Sequence, residues 1–89
     1  MPRLRFTRNI QRHVECPPEA VTGATVREAV DRYFDLHPRA RGYVLDEQST
    51  LRKHIMVFVD GRPVGDRTGL GDRVEDDAVI DVMQALSGG

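Results

Sequence analysis

The sequence predicts an α+β domain in which one helix packs across a mixed sheet of four to five strands. Three observations support this fold class: a polar and apolar alternation near the start, one amphipathic helix, and two apolar β-branched segments in the second half, the last close to the chain end. Because 89 residues are too few for two cores, we expect one domain over residues 1–85 and a flexible tail over 86–89.

The first strand is predicted over residues 3–7, where period-two alternation puts Leu4 and Phe6 on one buried face. A second strand is expected over residues 10–16, which carry the apolar residues Ile10, Val14 and Cys16. Both strands precede the helix.

The helix is predicted to begin at Thr25, because Glu28 three residues later completes a capping box in which the carboxylate reaches back to the amide of residue 25. Pro38 is expected to end it, and residues 39–49 are polar, which predicts a loop with room for a short strand over 43–45. The apolar stripe that follows helical spacing is Val26, Ala29, Val30, Tyr33 and Phe34, with His37 at its end.

Residues 55–59 predict an interior strand, Asp60-Gly61 a turn, and residues 62–64 a short edge strand, because Pro63 cannot donate to a ladder. A glycine-rich loop anchored by Leu70 leads to the last strand, predicted over residues 78–83.

Strand alternation divides these late residues between two faces. The residues expected to face the helix are Ile55, Val57, Val59, Ile80 and Val82. The residues expected to face the opposite side are Met56, Phe58, Val79 and Met83. The second group predicts an exposed partner surface of Met56, Phe58 and Met83 with acidic support from Asp81 and Glu75, the alternative being that some of these side chains belong to the core.

Composition and charge limit the function classes. Hydrophobic content of 39% beside 30% charged residues is typical of a soluble globular protein, and neither a membrane span nor a signal segment is visible, so we expect a cytoplasmic protein without a membrane partner. Residues 1–59 carry a net charge of +3 and residues 60–89 a net charge of −4. The early arginines are interpreted as a solvated strand face rather than a nucleic-acid site, and the later acidic residues as a surface for a basic partner.

No catalytic or metal-binding set is predicted. His13, His37 and His54 lack the spacing of metal ligands, and the glycines of residues 68–72 match no phosphate-binding loop. Cys16 is the only cysteine, which excludes an internal disulfide and favours a half-buried side chain over a reactive thiol.

The end of the chain carries the strongest functional signal. Leu86-Ser87-Gly88-Gly89 follows two residues after the last predicted strand. A strand that anchors two residues without side chains can deliver a main-chain carboxylate through a narrow channel.

Four segments carry a resemblance to a known family: residues 54–61, the acidic turn Glu75-Asp76-Asp77, the strand 79–82 and the ending 84–89. Together they resemble the MoaD and ThiS family of sulfur-carrier proteins. In length and ending the chain is most similar to the carriers that serve cysteine synthesis. The resemblance implies a ubiquitin-like β-grasp fold for the α+β domain.

The resemblance also implies a carrier function. An E1-like enzyme would use ATP and Mg²⁺ to adenylate Gly89, conversion to a thiocarboxylate would follow, and the sulfur would pass to an acceptor enzyme in cysteine, molybdopterin, thiamin or natural-product synthesis. The chain itself is expected to be a carrier rather than an enzyme, with no bound cofactor, metal or nucleic acid. Two alternatives stay open: a ubiquitin-like modifier joined through Gly89 to lysines, and a β-grasp binding module.

Overall fold

The computed structural model describes residues 1–85 of the chain, and the predicted tail over 86–89 lies outside the described residues. Within residues 1–85, the structure contains five strands and three helices. They are β1 (Arg3–Phe6), α1 (Arg8–Gln11), β2 (Glu19–Ala20), α2 (Val26–Leu36), α3 (Pro38–Val44), β3 (Ile55–Val59), β4 (Arg62–Pro63) and β5 (Val79–Gln84).

The strands form one five-stranded mixed sheet in the order β2-β1-β5-β3-β4. β1 and β5 run parallel, and the other neighbouring strands are antiparallel. The last strand of the described chain therefore occupies the centre of the sheet. The predicted α+β class and the mixed sheet are confirmed.

Helix α2 begins as predicted, because the hydroxyl of Thr25 accepts a hydrogen bond from the amide of Glu28 at 3.2 Å. The reciprocal bond differs by one residue: the Glu28 carboxylate accepts from the amide of Ala24 at 3.1 Å, not from that of Thr25. The predicted stripe from Val26 to Phe34 is buried.

The core lies between α2 and one face of the sheet. Six inward side chains of the three central strands are at most 6% exposed: Leu4, Phe6, Ile55, Val57, Ile80 and Val82. Val59, also predicted to face the helix, is only partly buried against this core. From the helix, Tyr33 packs its ring 4.9 Å from that of Phe6, and its hydroxyl donates to the carbonyl of Pro17 at 2.7 Å. Each fully buried aliphatic side chain of this kind stabilises the fold by about 1.5–3 kcal/mol before the entropy of ordering is subtracted.

The strand predicted over residues 10–16 is wrong. Residues 8–11 form α1, and the amide of Val14 donates to the carbonyl of Ile10 at 3.2 Å, so the two apolar residues are related by helical spacing. The second strand is instead Glu19–Ala20, which follows Pro17-Pro18 and pairs with β1 for only two residues.

The loop predicted over residues 39–49 is also wrong in its first part. Pro38 ends α2 and at the same time begins α3, because the missing amide and fixed φ of proline suit the first helical position. Ala40 and Val44, four residues apart, are the buried positions of α3. The short strand over 43–45 is reduced to a single bridge between Leu45 and Leu51.

The second half follows the prediction closely. Asp60 and Gly61 turn the chain with φ angles of 50° and 85°, as expected for a two-residue hairpin with left-handed backbone, and β4 is the edge strand. Leu70 is 0% exposed and anchors the loop before β5. In that loop the Asp66 carboxylate accepts from the amides of Gly69 and Gly71, which lowers the pKa of this carboxyl group.

Candidate functional site

The face of the sheet that points away from α2 carries most of the predicted partner surface. Antiparallel pairing of β3 with β5 sets Met56 opposite Met83 and Phe58 opposite Asp81. On the other side of β3, Pro63 of the edge strand lies opposite Phe58. We call the group Met56, Phe58, Met83, Asp81 and Arg5 the open face, since strand alternation puts all five on the side opposite the core.

The methionines of the open face are accessible. Met56 is 38% exposed and Met83 37% exposed, while Phe58 is half-buried. A groove of about 550 Å³ runs over this face, lined by Phe58 and Met83 and, on the β1 side, by Arg5 and Thr7. Flexible, polarisable methionine side chains beside an aromatic ring make a surface that can repack against different partners.

Arg5 is a residue of this face that the sequence reasoning missed. Its Nε and Nη2 atoms donate to the two carboxylate oxygens of Asp81 at 2.8 and 3.0 Å, and this bonding raises the pKa of the Arg5 guanidinium. The signal was present in the alternation of residues 3–7, which turns Arg5 away from Leu4 and Phe6. The parallel pairing that sets Arg5 against Asp81 is a long-range contact, which local pattern does not reveal.

The paired guanidinium changes the predicted role of Asp81. Its charge is already balanced by a two-point ion pair, so the open face is an apolar surface with a neutralised polar pair rather than an acidic one.

The structure does not bring Glu75 to this face. It lies in the turn before β5, where its carbonyl accepts from the amide of Ala78, while Met83 is near the other end of the same strand. The four residue steps from Val79 to Met83 alone span about 13 Å. Glu75 belongs to the acidic end of the sheet and not to the groove.

The carboxyl end of β5 is held by several contacts. The amide of Ala85 donates to the carbonyl of His54 at 2.8 Å, which continues the β3–β5 ladder by one step. The side-chain carbonyl of Gln84 accepts from the Tyr43 hydroxyl at 2.9 Å, and the Tyr43 ring stacks on His13 with centroids 5.4 Å apart. Helix α3 thus supports the last residues before the predicted tail, Leu86, Ser87, Gly88 and Gly89, which lie outside the described residues.

The three histidines have separate surroundings. His13 stacks on Tyr43, His37 contacts the Glu19 carboxylate at 2.7 Å, and His54 lies in the turn before β3. Within residues 1–85, no group of three or more histidine, cysteine or acidic side chains has the geometry to hold a metal ion. Cys16 is 2% exposed, and burial raises the pKa of its thiol to about 11, so at neutral pH it is a protonated core residue.

None of the helices in the described part of the chain has the length and apolar character required to cross a bilayer.

Comparison with known proteins finds similar structures but no similar sequence or family model. No protein-family model matches the chain, and no curated protein matches it by sequence. Among solved structures, SAMP1 from Haloferax volcanii superposes with a TM-score of 0.82 at 21% identity, covering 99% of this chain and 98% of its own. A chain of the Amycolatopsis orientalis BexX/CysO complex gives a TM-score of 0.82 at 23% identity, with 100% of both chains covered.

The small archaeal modifier protein 1 from Methanosarcina acetivorans gives a TM-score of 0.79 at 20% identity, covering 99% of this chain and 95% of its own. At these identities the likeness concerns the fold, and it extends over the whole domain rather than over a part of it. The resemblance inferred from the late sequence segments is thereby confirmed at the level of architecture: the chain has the ubiquitin-like β-grasp fold.

Proposed function

We propose that this chain is a sulfur-carrier protein whose working group is the carboxylate of Gly89. One observation carries the proposal: the central strand β5 continues to Gln84, and the amide of Ala85 is still bonded to His54, directly before the sequence Leu86-Ser87-Gly88-Gly89. A firmly held strand followed at once by a short segment that ends in two glycines suits delivery of a main-chain carboxylate into another protein.

The proposed chemistry begins with activation. An α-carboxylate has a pKa of about 3.5, so at neutral pH it is ionised and resists nucleophiles. In the active site of an E1-like partner, a carboxylate oxygen of Gly89 attacks the α-phosphorus of ATP and pyrophosphate leaves. Cations and Mg²⁺ held by the partner screen the two anions.

Sulfur transfer follows from the acyl adenylate. A persulfide sulfur attacks the Gly89 carbonyl carbon and AMP leaves, which produces an acyl disulfide. A second thiol then reduces the sulfur–sulfur bond and releases the Gly89 thiocarboxylate. The chain supplies the carried group and the docking surface, and the partners supply catalysis, so it acts as a protein co-substrate rather than as an enzyme.

The open face is the proposed docking surface for the activating and acceptor enzymes. It combines exposed methionines, a half-buried aromatic ring and a groove on the same strand that leads to Ala85. Apolar anchors at the centre of an interface contribute most of its binding energy. Likeness to a chain from the BexX/CysO complex supports a carrier that works while docked on another protein.

The test is a reconstitution. The purified chain is incubated with the E1-like adenylating enzyme encoded in the same genome, ATP, Mg²⁺ and a persulfide donor, and its intact mass is recorded. Exchange of one Gly89 oxygen for sulfur is expected, with none in the absence of ATP. A variant extended by one alanine after Gly89 is the matched control, because it displaces the carboxylate without changing the domain. No exchange in the wild-type chain would exclude the carrier function.

A second candidate function is supported by the small archaeal modifier proteins among the structural neighbours. In this function the activated Gly89 carbonyl forms an isopeptide bond with a lysine of a target protein. The expected result is a ladder of conjugates in cell lysate that disappears when Gly89 is deleted. Activation is shared between the two functions, so only the fate of the acyl adenylate separates them.

The third alternative, a β-grasp binding module, requires no chemistry at the chain end. Its prediction is opposite in sign, since deletion of Gly88 and Gly89 would then leave biological activity intact.

A further inference from the structure

The carboxyl end of β5 emerges between two positively charged segments. Because β1 runs parallel to β5, helix α1 follows β1 at the end of the sheet where β5 also finishes. The amide of Thr7 donates to the carbonyl of Val82 at 3.1 Å, and α1 packs against β5. On the other side of β5, the turn before β3 is joined to Ala85 through the carbonyl of His54.

Both segments present exposed cations. Arg8 and Arg12 lie on the α1 side, and Arg52 and Lys53 lie in the turn before β3. Arg67 reaches the same turn, where its Nη2 donates to the carbonyl of Arg52 at 3.3 Å. We call these five residues the basic collar.

Arg52 of the collar shares a surface pocket with two acidic residues, Asp46 and Glu47. In residues 1–85, no collar side chain takes part in an ion pair. Hydrogen bonds from the amides of Thr50 and Gln48 lower the pKa of the Asp46 carboxyl group, and the charge of Arg52 contributes less to this shift. Arg12 and Lys53 have no side-chain hydrogen bond in the same part of the chain, so both are free to meet an external anion.

The opposite end of the sheet carries acidic side chains as well as basic ones. Glu75, Asp76 and Asp77 lie in the turn that leads into β5, and Asp60 bonds to the amide of Val79 through its carboxylate at 2.9 Å. Cations lie at this end as well: the amino group of Met1 pairs with Asp76 at 2.7 Å, and Arg3 and Arg62 lie on neighbouring strands. The acidic groups at the start of β5 therefore have basic groups beside them, whereas the collar side chains form no ion pair in residues 1–85. The early arginines predicted as one solvated strand face divide into two groups: Arg3 and Arg5 lie on β1, whereas Arg8 and Arg12 belong to the collar.

We propose that the basic collar docks on an acidic rim around the opening through which the activating enzyme admits the chain end. This proposal rests on the proposed carrier function. The cations stand on both sides of β5 instead of converging on one point, which suits a protein surface that surrounds the tail better than a single phosphate group. Charges at the edge of an interface act mainly by accelerating and orienting the encounter, and salt weakens them.

The experiment measures association of the full chain with the same-genome E1-like enzyme in the absence of ATP, at low and high salt. The collar variant carries Arg12→Glu and Lys53→Glu. The matched control carries Arg32→Glu and Arg39→Glu, which change the net charge by the same amount and reverse two exposed charges on α2 and α3 that form no ion pair within the described residues. Thermal unfolding of each variant verifies that the domain is intact.

At low salt the collar variant should associate roughly tenfold more slowly than wild type, the control should be nearly unchanged, and the difference should shrink at high salt. Equal rates for collar variant and control would overturn the collar proposal while leaving the carrier function standing. An unchanged association rate with a raised KM for ATP would also overturn it, since the collar would then contact nucleotide. If wild type itself neither binds nor is adenylated, the carrier function fails and the collar proposal fails with it.

Discussion

The two faces of the sheet are made by the same strands and have different physical characters. On β5, Ile80 is 0% exposed and Val82 1% exposed, and both pack into the core, while Met83 on the opposite face is 37% exposed. β3 shows the same division between Val57 and Met56. Strand alternation thus lets one segment stabilise the domain with every second residue and present a contact surface with the others.

This difference separates two kinds of mutational effect. A truncation on the core face removes buried contacts and leaves a cavity, so its cost appears in the free energy of unfolding. A truncation on the open face removes contacts that only a partner can complete, so its cost should appear in binding.

The largest expected effect is on the core face. Ile80→Ala should lower the free energy of unfolding by about 3 kcal/mol, within the usual range for a buried isoleucine, because Ile80 lies on the central strand among buried neighbours. Met83→Ala on the same strand should cost less than about 1 kcal/mol. Urea denaturation of the two variants measures both values. Equal losses would show that Met83 is part of the core and that the face assignment is wrong.

The next effect concerns the open face. Phe58→Ser should weaken binding to the activating enzyme at least tenfold, about 1.4 kcal/mol, while the domain stays folded. Leu36→Ser is the matched control, because Leu36 is an exposed apolar residue at the end of α2, away from the sheet's open face. Isothermal titration calorimetry gives both affinities. Loss of the fold in Phe58→Ser, or equal affinities for the two variants, would contradict a docking role for this face.

How far the sequence predicts this fold depends on whether the pattern is local. Three features depend only on neighbouring residues, and each is present in the structure: the helix cap of Thr25 and Glu28, the Asp60-Gly61 turn and the alternation of residues 55–59. Helix α1 was missed because four residues give too little periodicity to distinguish a helical turn from a short strand. Helix α3 was missed because Pro38 was interpreted only as a helix end.

The candidate site divides in the same way. Met56, Phe58 and Met83 could be assigned to one face from alternation alone. The Arg5–Asp81 pair could not, because it depends on a parallel register between the first and last strands. Glu75, which the sequence analysis assigns to the same surface, lies before the start of β5, and the length of this strand separates it from Met83.

The smallest expected effect concerns the free energy of unfolding and its dependence on the titration of a buried core residue, Cys16. Burial raises the pKa of the Cys16 thiol from its usual 9.0 to about 11 in the folded chain. Because the unfolded chain loses this proton first, the stability associated with the protonated thiol is fully present below pH 9 and is lost as the pH rises toward 11. Cys16→Ala should have a lower free energy of unfolding than wild type at pH 8, since it leaves a small cavity, and this difference in free energy should be smaller at pH 10. Chemical denaturation at the two pH values measures the free energies of unfolding. If wild type and variant differed by the same amount at both, the thiol would be solvated. Cys16 would then belong to an accessible surface rather than to the core.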